Sequence, residues 1–235
     1  MNLKINNHQI LRGNTLLVQD LNLELRLGQR LVVSGQNGCG KSSFLEDLHG
    51  SSQFQIPTIN WSTENIKMFR MTQNLAFDLN SPDSVKDYLL KTLDVFANQN
   101  SGNNHRGSVE TTIDKTLEKV QLKSKWLCEL SGGEKQKLKF AQCLILKPQV
   151  LLLDEPFSAV DPTTKFQLYH TLDSLLPQTL QIIVVHDLLD IRRLNSPVLV
   201  FERPQATLYD PLTWFRKIDS LLHADPCHSE IHLWT

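Results

Sequence analysis

The run Gly35-Gln36-Asn37-Gly38-Cys39-Gly40-Lys41-Ser42 has the residue types and spacing of G-x-x-x-x-G-K-[ST], and Ser43 follows it. Glycines let a backbone curl until successive N–H groups face an anion. A helix starting at the end of such a loop adds its positive N-terminal pole. In this layout Lys41 reaches the β- and γ-phosphates of a bound nucleotide, and the Ser42 hydroxyl binds Mg²⁺. A glycine-rich turn with an incidental Lys-Ser would match the same letters, so the flanking elements decide between the two readings.

A second group capable of chemistry is Asp154-Glu155, which closes the apolar run Val150-Leu151-Leu152-Leu153. Two carboxylates at the C-terminal end of a buried strand stand where open α/β sheets bind ligands. Asp154 there would hold Mg²⁺, and Glu155 would orient or deprotonate a water. Alone, Asp-Glu-Pro would equally well end a strand at the surface; beside a phosphate loop the catalytic reading prevails.

The elements that must position these groups are visible as pattern. Leu21, Leu23, Leu25 and Leu27 alternate with polar residues, as in a half-buried strand ended by Gly28-Gln29. Leu31-Val32-Val33 is a short apolar strand, and a helix is predicted from about 41 to 48, so the glycine loop sits between strand and helix. Helices are predicted over 84–97 and 109–120. Between them, 98–108 is rich in Asn, Gly and Ser and reads as a flexible surface insertion. Leu138, Ala141, Leu144 and Ile145 recur at helical spacing in 131–146. Strand and helix signals then alternate over 150–153, 162–176, 181–185, 188–194 and 198–201, predicting an α/β fold with a mostly parallel sheet covered on both faces. After about Gln205 no clear pattern remains.

Lys and Arg number 24 against 25 Asp and Glu, which removes charge as a basis for nucleic-acid binding. The cysteines Cys39, Cys128, Cys143 and Cys227 lack metal-ligand or disulfide-framework spacing and suit a reducing compartment. The N-terminus carries no apolar signal core, and no apolar run is long enough to cross a bilayer. A membrane role would have to come through a partner.

Between the two chemical motifs lies Leu130-Ser131-Gly132-Gly133-Glu134. It resembles the LSGGQ signature of ATP-binding cassette (ABC) ATPases, with Glu134 at the Gln position. Other stretches resemble further family motifs in the family's order: Gln73 the Q-loop, Ser158-Ala159-Val160-Asp161 the D-loop, and His186, after the strand Ile182–Val185, the switch histidine. The resemblance covers roughly residues 1–205 and leaves 206–235 as a tail. It implies a P-loop NTPase (RecA-like) core with an antiparallel β subdomain and a helical signature subdomain inserted over about 74–147. It implies an ATPase that uses ATP and Mg²⁺, with Ser42, Gln73 and Asp154 at the metal and Glu155, His186 and Gln73 at the reaction. Ser131, an apt helix N-cap, and the glycines after it would face the γ-phosphate held by a second copy of the chain, with Asp161 in the D-loop.

By the same resemblance the chain works as a homodimer on integral membrane permease subunits, with a solute-binding protein if it is an importer, and lies in the cytoplasm on the inner face of the membrane. A soluble ABC ATPase acting on nucleic acid or ribosomes is the alternative; the balanced charge and the absence of a visible second cassette argue against it. The short interval from Lys41 to Gln73 and the segment Ser84–Leu89 look similar to zinc and manganese importer ATPases, which suggests divalent-metal cargo. His223, Cys227, His228 and His232 include metal-ligand types, although a solvated terminus with chance histidines is the plainer reading. Two departures from the family pattern stand out. No Phe, Tyr or Trp occurs between His8 and Thr15 to stack on adenine, leaving His8 or Arg12 for that place. Cys39 replaces a small residue at a helix N-terminus, where a lowered thiol pKa and sensitivity to oxidation are expected.

Overall fold

A computed structural model describes residues 1–54, 56–71, 83–99, 106–123, 125–158 and 160–224. The chain opens with an antiparallel pair, β1 (Asn2–Arg12) and β2 (Thr15–Arg26), and then enters the buried strand β3 (Arg30–Gly35). Helix α1 (Lys41–Ser51) follows, then the short strands β4 (Ile59–Trp61) and β5 (Met68–Met71). Next come the helices α2 (Val85–Gln99), α3 (Arg106–Lys119) and α4 (Gly132–Leu146). The rest alternates: β6 (Val150–Asp154), α5 (Pro162–Leu175), β7 (Leu180–Val184), α6 (Leu188–Leu194), β8 (Val198–Glu202), β9 (Gln205–Tyr209) and α7 (Pro211–Ala224).

Two sheets form. One is antiparallel in the order β2-β1-β4; the other runs β5-β6-β7-β3-β8-β9, parallel throughout except for β9. Because β6, β7 and β3 are consecutive and parallel, their C-terminal ends share one edge. That edge carries the glycine loop after β3, Asp154 and Glu155 after β6, and His186 after β7.

The apolar runs of the central strands are explained by burial on both faces. Leu31, Val33, Leu152, Ile182 and Val184 pack toward α1 and the antiparallel sheet, with Phe44, Leu45 and Leu48. Their alternates Val32, Leu151, Leu153 and Ile183 pack on the opposite face against Leu168 and Leu172 of α5, Ile191 of α6 and Trp214 of α7. A third cluster joins α2, α3 and α4 through Val85, Leu89, Ile113, Leu117, Leu138 and Ala141. Helix α4 belongs to both regions, since its Phe140 and Cys143 enter the core beneath the main sheet. Helix α4 is therefore anchored to both, its start through Leu130 and Leu138 and its later turns through Phe140 and Cys143.

Two expectations need correction. Residues 205–224 are structured: β9 pairs with β8 from Val198↔Tyr209 to Glu202↔Gln205, and Trp214 of α7 is 1% exposed. A boundary at 205 thus falls in a hairpin of the main sheet. Of the supposed insertion 98–108, the ends are helical, since α2 runs to Gln99 and α3 begins at Arg106; residues 100–105 lie outside those described.

Candidate functional site

The glycine loop is held by backbone geometry that side chains would break. Gly35 has φ 142°, and a Cβ there would lie 2.5 Å from the Phe201 carbonyl oxygen on β8. Gly40, at φ 112°, precedes α1 without any side-chain cap among the described residues, so the first amides of the helix remain available. Lys41 is folded onto the loop, its Nζ donating to the carbonyl oxygens of Gly35 and Gln36, both at 2.8 Å. Burial pushes its ammonium pKa down, while Cys39, Glu155 and Asp154 oppose the shift. A polyanion would satisfy that desolvated charge. Arg203, in the β8–β9 hairpin, donates to the Gly38 carbonyl.

Asp154 is 7% exposed, burial raises its carboxyl pKa, and the Ser42 hydroxyl donates to it. A hydroxyl and a desolvated carboxylate side by side are the oxygen donors that Mg²⁺ takes, and a cation between them would reverse the shift. Glu155 has a left-handed backbone (φ 49°), its N–H bonded to the Val184 carbonyl at 3.1 Å. That uncommon conformation turns the chain sharply at the strand end. It leaves Glu155 Oε1 2.7 Å from His186 Nε2. The contact lacks directed hydrogen-bond geometry, and the buried Nε2 has no hydrogen-bond partner among the described residues.

Lys41, Ser42, Glu155 and His186 border one cavity of about 340 Å³, while Asp154, bonded to Ser42, does not line it. Asn37, Gly38, Gly40, Lys41, Ser42 and Ser43 line it with Glu155 and His186, and Arg12 and Leu17 add the antiparallel sheet. Glu46 joins them, a participant no sequence signal had suggested. The set fits a nucleoside polyphosphate with a divalent cation: cationic and N–H donors in the loop, oxygen donors for the metal, and an imidazole beside a carboxylate.

Other sequence-based expectations fare differently. His8 is 5% exposed and is held by Thr58 Oγ1 at 2.7 Å and Asp47 Oδ2 at 3.1 Å, so it is not free to stack on a base; Arg12 is the one that reaches the cavity. Cys39 is 3% exposed and burial pushes its thiol pKa up, overturning the expected lowering: desolvation outweighs Lys41 and Arg203. Gln73 lies outside the described residues, as do Ala159 and the tail beyond 224.

Ser131 caps α4 as expected. Its hydroxyl accepts from Glu134 N at 3.3 Å, and a Glu134 carboxylate oxygen accepts from Ser131 N at 3.0 Å. Hydrogen bonding from Lys125, then from Ser131, holds the Glu134 carboxyl at about 2. A Cβ on Gly132 would meet nothing within 4 Å among the described residues, so this helix end is open. Within one chain, residues 131–134 do not line the phosphate cavity. Asp161 accepts from Thr164 N at 3.0 Å at the start of α5 and borders a neighbouring cavity with Glu155 and His186.

Residues 18–158 match the family described as ABC transporter. The phosphate import ATP-binding protein PstB 2 of Streptococcus mutans is 25% identical over 215 residues, covering 84% of this chain and 80% of the relative. The energy-coupling factor transporter ATP-binding protein EcfA of Syntrophomonas wolfei is 30% identical over 216 residues, covering 87% and 78%. Among solved structures, an ATP-binding subunit of an ABC transporter superposes with TM-score 0.77 at 15% identity, covering 94% of each chain. A bacterial Atm1-family ABC exporter with ATP bound gives TM-score 0.73 at 18% identity, covering 97% of this chain and 42% of that one.

Proposed function

Because this chain belongs to the ABC transporter family as an ATP-binding subunit with ATPase activity, we propose that Glu155 and His186 carry the hydrolysis of ATP to ADP and phosphate. The observation that carries this reading is their 2.7 Å approach at a cavity shared with Lys41 and Ser42. Glu155 Oε1 accepts the proton of the attacking water as general base. His186, held beside it, donates from Nε2 to the terminal phosphate and keeps the base oriented. Lys41 and the backbone N–H groups of residues 36–42 neutralise the phosphates. Mg²⁺, when bound, supplies charge neutralisation of the phosphate oxygens; Ser42, Asp154 and Gln73 would hold it. Arg12 offers its guanidinium plane to the base.

Two copies act together: the open α4 helix end with Ser131, Gly132, Gly133 and Glu134, and the D-loop residue Asp161, complete the other copy's site. The chain works in the cytoplasm on the inner face of the membrane, against integral permease subunits. In support, among the described residues no helix is long and apolar enough to cross a membrane, and the balanced charge gives nucleic acid no purchase. Relatives named for phosphate import support import, with a solute-binding protein delivering cargo. The finer reading, divalent-metal cargo, draws on the Lys41–Gln73 interval and Ser84–Leu89. Uptake of labelled zinc and manganese in cells lacking this chain should fall, and unchanged uptake of both would remove it.

Phosphate release by the purified chain with Mg²⁺ and ATP tests the site. Lys41→Ala should lose nucleotide binding. Glu155→Gln should bind ATP normally but turn over about 10²-fold more slowly or worse. Turnover of Glu155→Gln at the parent rate would overturn the general-base assignment.

A further inference from the structure

Glu155 and His186 also border a second cavity of about 520 Å³, with Asp161, Lys165, Asp187 and Asp190. Asp190 is 5% exposed. A carboxylate so far from water is costly unless fully paired. Here Lys165 Nζ bonds both carboxylate oxygens at 3.1 Å, and the Tyr169 hydroxyl donates to Oδ1. Lys165 and Tyr169 are four apart on α5 and so share one face. The Arg193 guanidinium lies 5.5 Å from the Tyr169 ring centroid, tying α6 to α5 a second time. Lys165 Nζ is also 3.7 Å from Asp187 Oδ2.

The places these residues occupy give the cluster its meaning. Helix α6 spans only Leu188–Leu194 and begins two residues after His186. A helix that short holds no structure by itself and takes its position from its contacts. Ile191 and Leu194 bury it in the core, but apolar contacts alone tolerate sliding and rotation. A two-oxygen pairing to a lysine on α5 does not. Helix α5 in turn begins after Asp161, shortly beyond Glu155. The pair therefore joins the segment leaving the base to the segment leaving the histidine.

We propose that Asp190, with Lys165 as its counter-charge, is a positioning residue for His186: it fixes α6 on α5 so that the imidazole stays at Glu155. This rests on the reading of His186 as a catalytic residue. Neither Asp190 nor Lys165 lines the phosphate cavity, so their loss should spare nucleotide binding, whereas misplacing a catalytic group by an ångström costs turnover steeply.

The test is steady-state ATP hydrolysis by the full chain. Asp190→Asn keeps the size and the Tyr169 bond while removing the charge that Lys165 reads. Its kcat should fall about 10-fold or more with KM for ATP within about twofold of the parent. In a His186→Ala background the same change should add no further loss, which a merely structural role would not produce. Lys165→Met should reproduce the effect from the partly exposed side if Asp190→Asn fails to fold, and Lys165→Arg should restore most of kcat. A parental kcat in both Asp190→Asn and Lys165→Met, or losses that multiply with His186→Ala, would overturn the positioning role. If His186→Ala itself turns over at the parent rate, the reading of His186 fails as well.

Discussion

Cys39 shows how environment overrides type at the level of a single residue. Beside a lysine at a helix N-terminus a thiol is expected to ionise easily; enclosed by β3, β8 and the loop it does the reverse, and burial raises its pKa. Iodoacetamide should therefore label Cys39 far more slowly in the folded chain than in urea, and more slowly than the exposed Cys128. Mass spectrometry of timed quenches checks this; equal rates for the two cysteines would restore the reactive-thiol reading. Several residues that line the cavity were nameable in sequence: Asn37, Gly38, Gly40, Lys41, Ser42 and Ser43 from the spacing of their motif, Glu155 from its place at a strand end, and His186 only through the family resemblance. The left-handed backbone of Glu155 was not legible there, since glutamate is not a residue that announces φ 49°. The unavailability of His8 was not either, because Thr58 and Asp47 reach it from distant positions.

At the scale of elements, the buried parallel strands were legible as apolar runs and α4 as a capped helix. Strand β9 was not. It is an edge strand whose residues are half-buried or exposed, so it shows no apolar alternation. Helix α7 carried a usable signal: Asp210-Pro211, a capping acid before a proline at the first helical position, then Trp214 and Ile218 four apart. Asp210 Oδ1 indeed accepts from Leu212 N and Thr213 N, both at 3.1 Å. If α7 is part of the core, Trp214→Ala should cost about 3–5 kcal/mol in urea unfolding; a change below about 0.5 kcal/mol would make it an appendage. The α4 cap makes a pH-dependent prediction. The Glu134 carboxyl sits at about 2 in the folded chain, below its ordinary value. Its stabilisation is thus complete above the ordinary carboxylate range and is lost as pH falls toward 2. The stability gap between parent and Glu134→Gln, below about 1 kcal/mol for so exposed a pair, should close over that interval. A gap that widens on acidification would contradict the assignment.

For the whole molecule, the arrangement of sheets separates the α4 helix end from the phosphate cavity of the same chain. The central sheet gathers the glycine loop, Asp154, Glu155 and His186 on one edge, while α4 starts elsewhere, anchored between two cores. Its open end does not line the phosphate cavity of its own chain, and the proposed shared site has a second copy supply it. Light scattering of Glu155→Gln with and without Mg²⁺ and ATP tests this most directly. The mass should double only when nucleotide is present, and Ser131→Arg in the same background should keep it single. A mass that stays single with ATP, or doubles equally well with Ser131→Arg, would contradict the account.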